Sequence, residues 1–303
     1  MAGFTNGPIK ANEHKVTNLS AQGFSKEGFF KASDGIKLHY FSKQVEQPKY
    51  QIIGVHGLGE HSGRYAWFAD QIAADGGTCS FLDLRGHGLS EGSRGHSPSY
   101  AQLIDDLRKF VALEIQDQIP SFFFGHSLGG GLALSYALEL SSSSQSQNLL
   151  SGFIAASPLL RLSFEPPAWK LFLARILVQV WPGFRLDRGI DVVNLTRDED
   201  IRAIYLADPL NHELVSAALT LGFLRSGEAA LEHASDLQVP TLILHGEADQ
   251  VTDWQASQEF ALEAGDVAEF QSFAGCRHEL VNELNREEVV DSITKWIQKE
   301  IST

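Results

Sequence analysis

The chain has 303 residues, 43% of them apolar and 20% charged, and a net charge of −14. That length can bury a large α/β core with an insertion, and the apolar share is that of an ordinary globular protein rather than a disordered one. The acidic balance, with no clustering of Lys and Arg over the chain as a whole, argues against a nucleic-acid partner.

The first two dozen residues are polar and read as an arm over the core. Met1 to Lys15 has no apolar stretch behind a basic start, so no secretory leader is expected. Nowhere is there a run of about 18 apolar residues, the length a membrane span needs. Cys79 and Cys276 are too few for a disulfide framework and point to a reduced, cytoplasmic protein.

Glu27 to Lys31 and Ile36 to Ser42 flank Ser33-Asp34-Gly35, a hairpin signal. Strand and helix then alternate: a buried strand at Ile52 to Val55, a helix from Tyr65 to Ala74, and a strand at Thr78 to Leu84. Ser97-Pro98 reads as the cap and first position of the next helix, which runs to about Gln118. Phe122 to Gly125 is a strand, a helix follows to Leu140, Ser141 to Ser146 is a loop, and Gly152 to Ala156 is another strand. From Pro158 to about His233 helical segments take over without a convincing strand. Alternation resumes with Thr241 to Leu244, Trp254 to Glu263, Glu269 to Phe273 and Val289 to Ile301. This order predicts an α/β fold: a mostly parallel central sheet flanked by helices, with an inserted helical cap. The division is then 1–157 and 234–303 for the two parts of the core, and 158–233 for the cap.

The most informative stretch is Gly125-His126-Ser127-Leu128-Gly129, between the Phe122 strand and a helix rich in small residues. A Gly-x-Ser-x-Gly turn in that context presents a serine hydroxyl to substrate, and a Cβ at either glycine would strike a neighbouring element. A serine needs a base to take its proton, and the base needs a carboxylate to fix it. In sheet-based hydrolases these groups follow strand ends in the order Ser, acid, His. Asp249, just after the Thr241 strand, is the candidate acid, with Glu247 and Asp253 as rivals; His278, past the last strand, is the candidate base. The oxyanion donors are expected to be the amides of Leu128 and Leu58, the latter in the loop after the Ile52 strand.

His56-Gly57-Leu58-Gly59-Glu60-His61-Ser62-Gly63-Arg64-Tyr65, Asp83-Leu84-Arg85-Gly86-His87-Gly88-Leu89-Ser90-Glu91-Gly92 and Gly125 to Gly130 resemble the α/β-hydrolase branch that holds monoacylglycerol lipases and bacterial lysophospholipases, of serine aminopeptidase S33 type. His245-Gly246-x-x-Asp249 and Arg277-His278-Glu279-Leu280 fit the same branch, and the resemblance runs from Glu27 to the C-terminus. It implies a Ser127, Asp249, His278 triad with Leu58 and Leu128 as oxyanion donors. By the same resemblance Glu60 and Arg64 match positions near a glycerol head group, with a structural ion pair as the other reading. Asp83, Arg85 and His87 match a structural block. Leu128 stands where many members carry Met, a volume-conserving change.

The resemblance implies a serine carboxylic-ester hydrolase cleaving single-chain lipid esters, a monoacylglycerol above all, with no cofactor or metal. Lysophospholipids and short water-soluble esters are the rival substrates, and a ligand-binding homologue without turnover is the rival of another class. Trp169 to Trp181 is apolar around most of its circumference and too short to span a bilayer. Between Ser157 and Ile190 five basic residues stand against two acidic ones. Two roles fit this helix: a lid over the site, or a lid that also touches a membrane surface.

Overall fold

The computed structural model describes residues 25–142 and 149–302. The arm expected over residues 1–24, and most of the Ser141 to Ser146 loop, lie outside the described residues; Ser141 and Ser142 close a helix. An antiparallel hairpin, β1 (Lys26–Lys31) and β2 (Lys37–Lys43), leads into the parallel strands β3 (Tyr50–Val55), β4 (Gly77–Leu82), β5 (Ser121–His126), β6 (Gly152–Ala156), β9 (Thr241–Gly246) and β10 (Ala268–Phe273). Together they form one sheet in the order β1-β2-β4-β3-β5-β6-β9-β10, with β2 pairing antiparallel to β4.

The central strands are buried along their whole length, because helices cover both faces. α1 (Ala66–Ala74) and α8 (Arg286–Ser302) lie on one face; α2 (Tyr100–Glu114), α3 (Leu128–Ser142) and α7 (Trp254–Ala264) lie on the other. Phe122 and Phe124 join the first core and Phe123 the second, as a period of two requires. The α2 cap is Ser99 rather than Ser97: the Ser99 hydroxyl accepts from Gln102 N, while Ser97 bonds the Ser99 carbonyl. Pro98 therefore precedes the cap and only orients the chain's entry.

Between β6 and β9 the chain forms α4 (Ala168–Val180), α5 (Glu199–Ala207) and α6 (Ala217–Glu232), which lie over the carboxyl ends of the strands. α6 packs on α4, α3 and α2. The expectation of no strand in this stretch is corrected by a short antiparallel ribbon, β7 (Arg185–Asp187) with β8 (Leu214–Ser216). Three-residue strands paired across so long a loop leave no local period to read.

After β3 the chain steps to β4 on one side and then to β5 on the other. That reversal opens a crevice at the strands' carboxyl ends between the loop after β3 and the turn after β5. The functional side chains gather there.

Candidate active site

Ser127 sits between β5 and α3 with φ +54°, in the left-handed region. Its backbone is fixed from three directions: its N–H bonds Ala156 O, and its carbonyl accepts from Gly131 N and Leu159 N. The flanking glycines are sterically required, since a Cβ on Gly125 would lie 2.0 Å from Gly129 O and one on Gly129 2.6 Å from His56 O. The elbow thus holds the hydroxyl against its own backbone preference.

His278 Nε2 lies 2.8 Å from Ser127 Oγ, and His278 Nδ1 lies 2.7 Å from Asp249 Oδ2. The structure brings together the three residues expected of the triad. The rival acids point elsewhere: Glu247 accepts from Ser272, and Asp253 caps α7 and pairs with Arg161. Sequence reasoning missed the groups that hold Asp249. Its Oδ1 accepts from Val251 N and Thr252 N, and its Oδ2 from the Thr252 hydroxyl and His245 Nε2. Burial alone would raise the Asp249 carboxyl, but the charge of a protonated His278 and the hydrogen bonds from His245 and His278 hold it well below the usual carboxylate range. The one available signal was His245 itself, four residues upstream at the strand's end.

His126 was also missed. It lines the cavity above Ser127, its ring centroid 4.8 Å from that of His278, and its Nδ1–H donates to Ala156 O. Burial and the neighbouring His278 push its pKa down to about 4, so it is neutral at pH 7.

Leu128 opens α3, and the first-turn amides of a helix lack intrahelical partners. Leu58 lies across the crevice in the loop after β3, and both it and Ser127 line the same cavity. Its loop is braced by His56, whose Nδ1–H donates to Gly57 O while its Nε2 accepts from Leu84 N. Glu60 accepts from Gly57 N at 2.7 Å, from the Tyr65 hydroxyl and from Arg64. Arg64 bonds both carboxylate oxygens of Glu279, at 2.7 and 2.6 Å, and stacks on Tyr205. Glu60 lines the cavity; Arg64 is spent on two carboxylates. The Asp83 block ties loops together: Asp83 accepts from Ser62 N, Leu89 N and His39, and Arg85 grips Asp106 through two bonds.

The cavity above Ser127 measures about 230 Å³. Its floor is polar, with Glu60, His126, His278 and Glu279; its walls and roof are apolar, with Leu171, Leu177, Phe184 and Phe223 among them. No group of three or more His, Cys, Asp or Glu among the described residues could hold a metal ion.

A serine on a strand-to-helix elbow at the switch point of a largely parallel sheet defines an α/β hydrolase. Residues 46–285 match the family model described as serine aminopeptidase, S33. The chain belongs to that family, in its monoacylglycerol-lipase branch, and is a serine ester hydrolase. It is 28% identical to the monoacylglycerol lipase of Mycolicibacterium smegmatis over 82% of this chain and 88% of the relative. It is 32% identical over 84% of its length to an uncharacterised abhydrolase domain-containing protein of Dictyostelium discoideum, of which it spans only 27%. Among solved structures, the monoacylglycerol lipase of Paleococcus ferrophilus superposes with a TM-score of 0.78 at 30% identity, covering 88% of this chain and 98% of that one.

Proposed function

We propose that the chain is a monoacylglycerol lipase working through Ser127, His278 and Asp249. The observation that carries this reading is the unbroken hydrogen-bond chain from Ser127 to Asp249 on the floor of an apolar cavity. His278 takes the hydroxyl proton as Ser127 attacks the ester carbonyl, and the amides of Leu58 and Leu128 receive the oxyanion. The imidazolium gives its proton to the departing glycerol oxygen. Water, deprotonated by the same histidine, then cleaves the acyl-enzyme and restores the serine. Asp249, kept ionised, stabilises the imidazolium in both halves of the reaction.

Residues 158–233 act as a cap whose apolar underside takes the acyl chain. The polar end favours an uncharged head group over a phosphate-bearing one. Arg64 is neutralised by Glu60 and Glu279, Arg188 by Glu213, and Arg161 by Asp253 and Glu259. The test is a hydrolysis panel of a long-chain monoacylglycerol, lysophosphatidylcholine and short p-nitrophenyl esters. The expected result is the highest kcat/KM on the monoacylglycerol; a higher value on lysophosphatidylcholine would replace the substrate assigned here.

The outer face of α4 supports contact with a lipid surface. Trp169, Phe172, Ile176 and Val180 recur at helical spacing and are 64%, 64%, 44% and 74% exposed, with Trp181 beside them at 62%. The local excess of basic residues contributes less than its count suggests, since Arg161 and Arg188 are already paired. Apolar area therefore carries the docking. No helix among the described residues is long and apolar enough to cross a membrane. Liposome flotation should bring wild type to the lipid fraction and leave a Trp169→Ser, Phe172→Ser, Trp181→Ser variant behind. If neither floats, α4 is a lid and nothing more.

A further inference from the structure

The loop after β3 is gripped from the cap side by a residue with no place in the triad. Arg188, in the turn after β7, has a side chain only 6% exposed. Its Nη1 donates to Leu58 O at 2.6 Å and its Nε to Glu213 Oε2 at 2.6 Å, while Nη2 meets Glu213 and the Tyr205 hydroxyl. The next carbonyl, Gly59 O, accepts from His212 N at 2.9 Å. At Gly59 φ is +84°, and a Cβ there would lie 2.3 Å from His212 O, so loop and cap are in backbone contact.

Three successive carbonyls of the loop are therefore held: Gly57 O by His56 from the core, Leu58 O and Gly59 O from residues 158–233. The Leu58 N–H lies between the first two of these anchors. It shares one rigid peptide plane with Gly57 O, which His56 holds; that plane hangs on the Leu58 Cα, whose position is fixed by the other plane, that of Leu58 O. A guanidinium held by a carboxylate is a firm anchor for the other, because its donors form a rigid fork.

We propose that Arg188 is a positioning residue for ester hydrolysis: through the Leu58 carbonyl it lets the seated cap fix the Leu58 Cα and so the place of the oxyanion-binding amide. This rests on the hydrolase reading above. It differs from a substrate-binding role, although Arg188 also lines the cavity. An arginine that bound the head group would act on KM and only for substrates that carry one. An arginine that places the Leu58 amide acts on kcat for every ester, since the oxyanion forms with all of them.

The experiment compares wild type, Arg188→Met and Arg188→Lys on a long-chain monoacylglycerol and on p-nitrophenyl butyrate, which has no glycerol head group. Each rate is normalised to active sites titrated with a fluorophosphonate, so that partial unfolding does not pass for slow chemistry. Arg188→Met should lower kcat on both esters by about ten- to a hundredfold with KM nearly unmoved, and slow fluorophosphonate labelling in step. Arg188→Lys keeps one donor within reach of the carbonyl and should recover part of the loss. If Arg188→Met has no cooperative melting transition, Arg188→Lys is read alone, and a several-fold drop in kcat on both esters is expected. Unchanged kcat on p-nitrophenyl butyrate in the folded variants, or a defect confined to KM for the monoacylglycerol, overturns the role of Arg188. A wild type that neither turns over nor labels overturns the hydrolase reading itself.

Discussion

Ser127→Ala is expected to abolish ester hydrolysis and fluorophosphonate labelling together, with a loss on the order of a millionfold in kcat. The size follows from the geometry: among the described residues the hydroxyl against His278 Nε2 is that of Ser127, 2.8 Å away. Alanine inherits the same φ of +54°, so the variant should melt close to wild type and the loss cannot be assigned to unfolding. Equal labelling of wild type and variant would mean that another nucleophile does the chemistry. Loss of activity with an unchanged fold would leave the cavity intact for binding substrate without turnover.

Arg64→Met is expected to cost about 3–5 kcal/mol of stability, because it leaves two buried carboxylates without their counter-ion. The side chains of Glu60 and Glu279 are each 4% exposed, and both bond the same guanidinium. Burial raises the Glu60 carboxyl, and in the wild type the Arg64 charge, with lesser help from His126 and His56, reverses this and holds it well below its ordinary value. The wild-type group therefore contributes stability above the unfolded carboxyl's pKa, and that contribution is lost as pH falls through the depressed folded value. In the variant the sign inverts. Burial now dominates and the folded carboxyl titrates above its unfolded value, so the variant loses stability as pH rises. Denaturant melts at pH 5 and pH 8 check this: the gap between wild type and Arg64→Met should be larger at pH 8. A gap independent of pH would mean that the cluster acts through packing alone.

Much of the site was legible because its chemistry depends on strand ends, which the sequence marks clearly. Ser127 and Asp249 each follow a short apolar run and His278 follows the mixed strand Ala268–Phe273, and the structure puts all three strands in one sheet with their carboxyl ends aligned. What stayed hidden depends on contacts between distant segments. Glu279, next to His278, meets Arg64 from across 215 residues, and Arg188 meets Leu58 from across 130. No period or spacing encodes such a meeting. The α2 cap was misplaced for a different reason: Ser97 and Ser99 are equally good caps on paper, and only the fold decides which hydroxyl reaches Gln102 N. The β7–β8 ribbon is too short to leave a pattern, yet it carries Arg188 to the loop after β3.

The left-handed backbone of Ser127 also bears on how this protein would respond to engineering. A residue with a Cβ in that conformation costs roughly 1–2 kcal/mol that glycine would avoid. Glycine at position 127 would therefore raise the melting temperature while removing the proposed nucleophile. A screen that ranks variants by thermal tolerance alone would favour that change and enrich inactive molecules. Selection for durability and selection for turnover pull in opposite directions at this one residue, so any stabilisation campaign on this chain needs an activity filter from its first round.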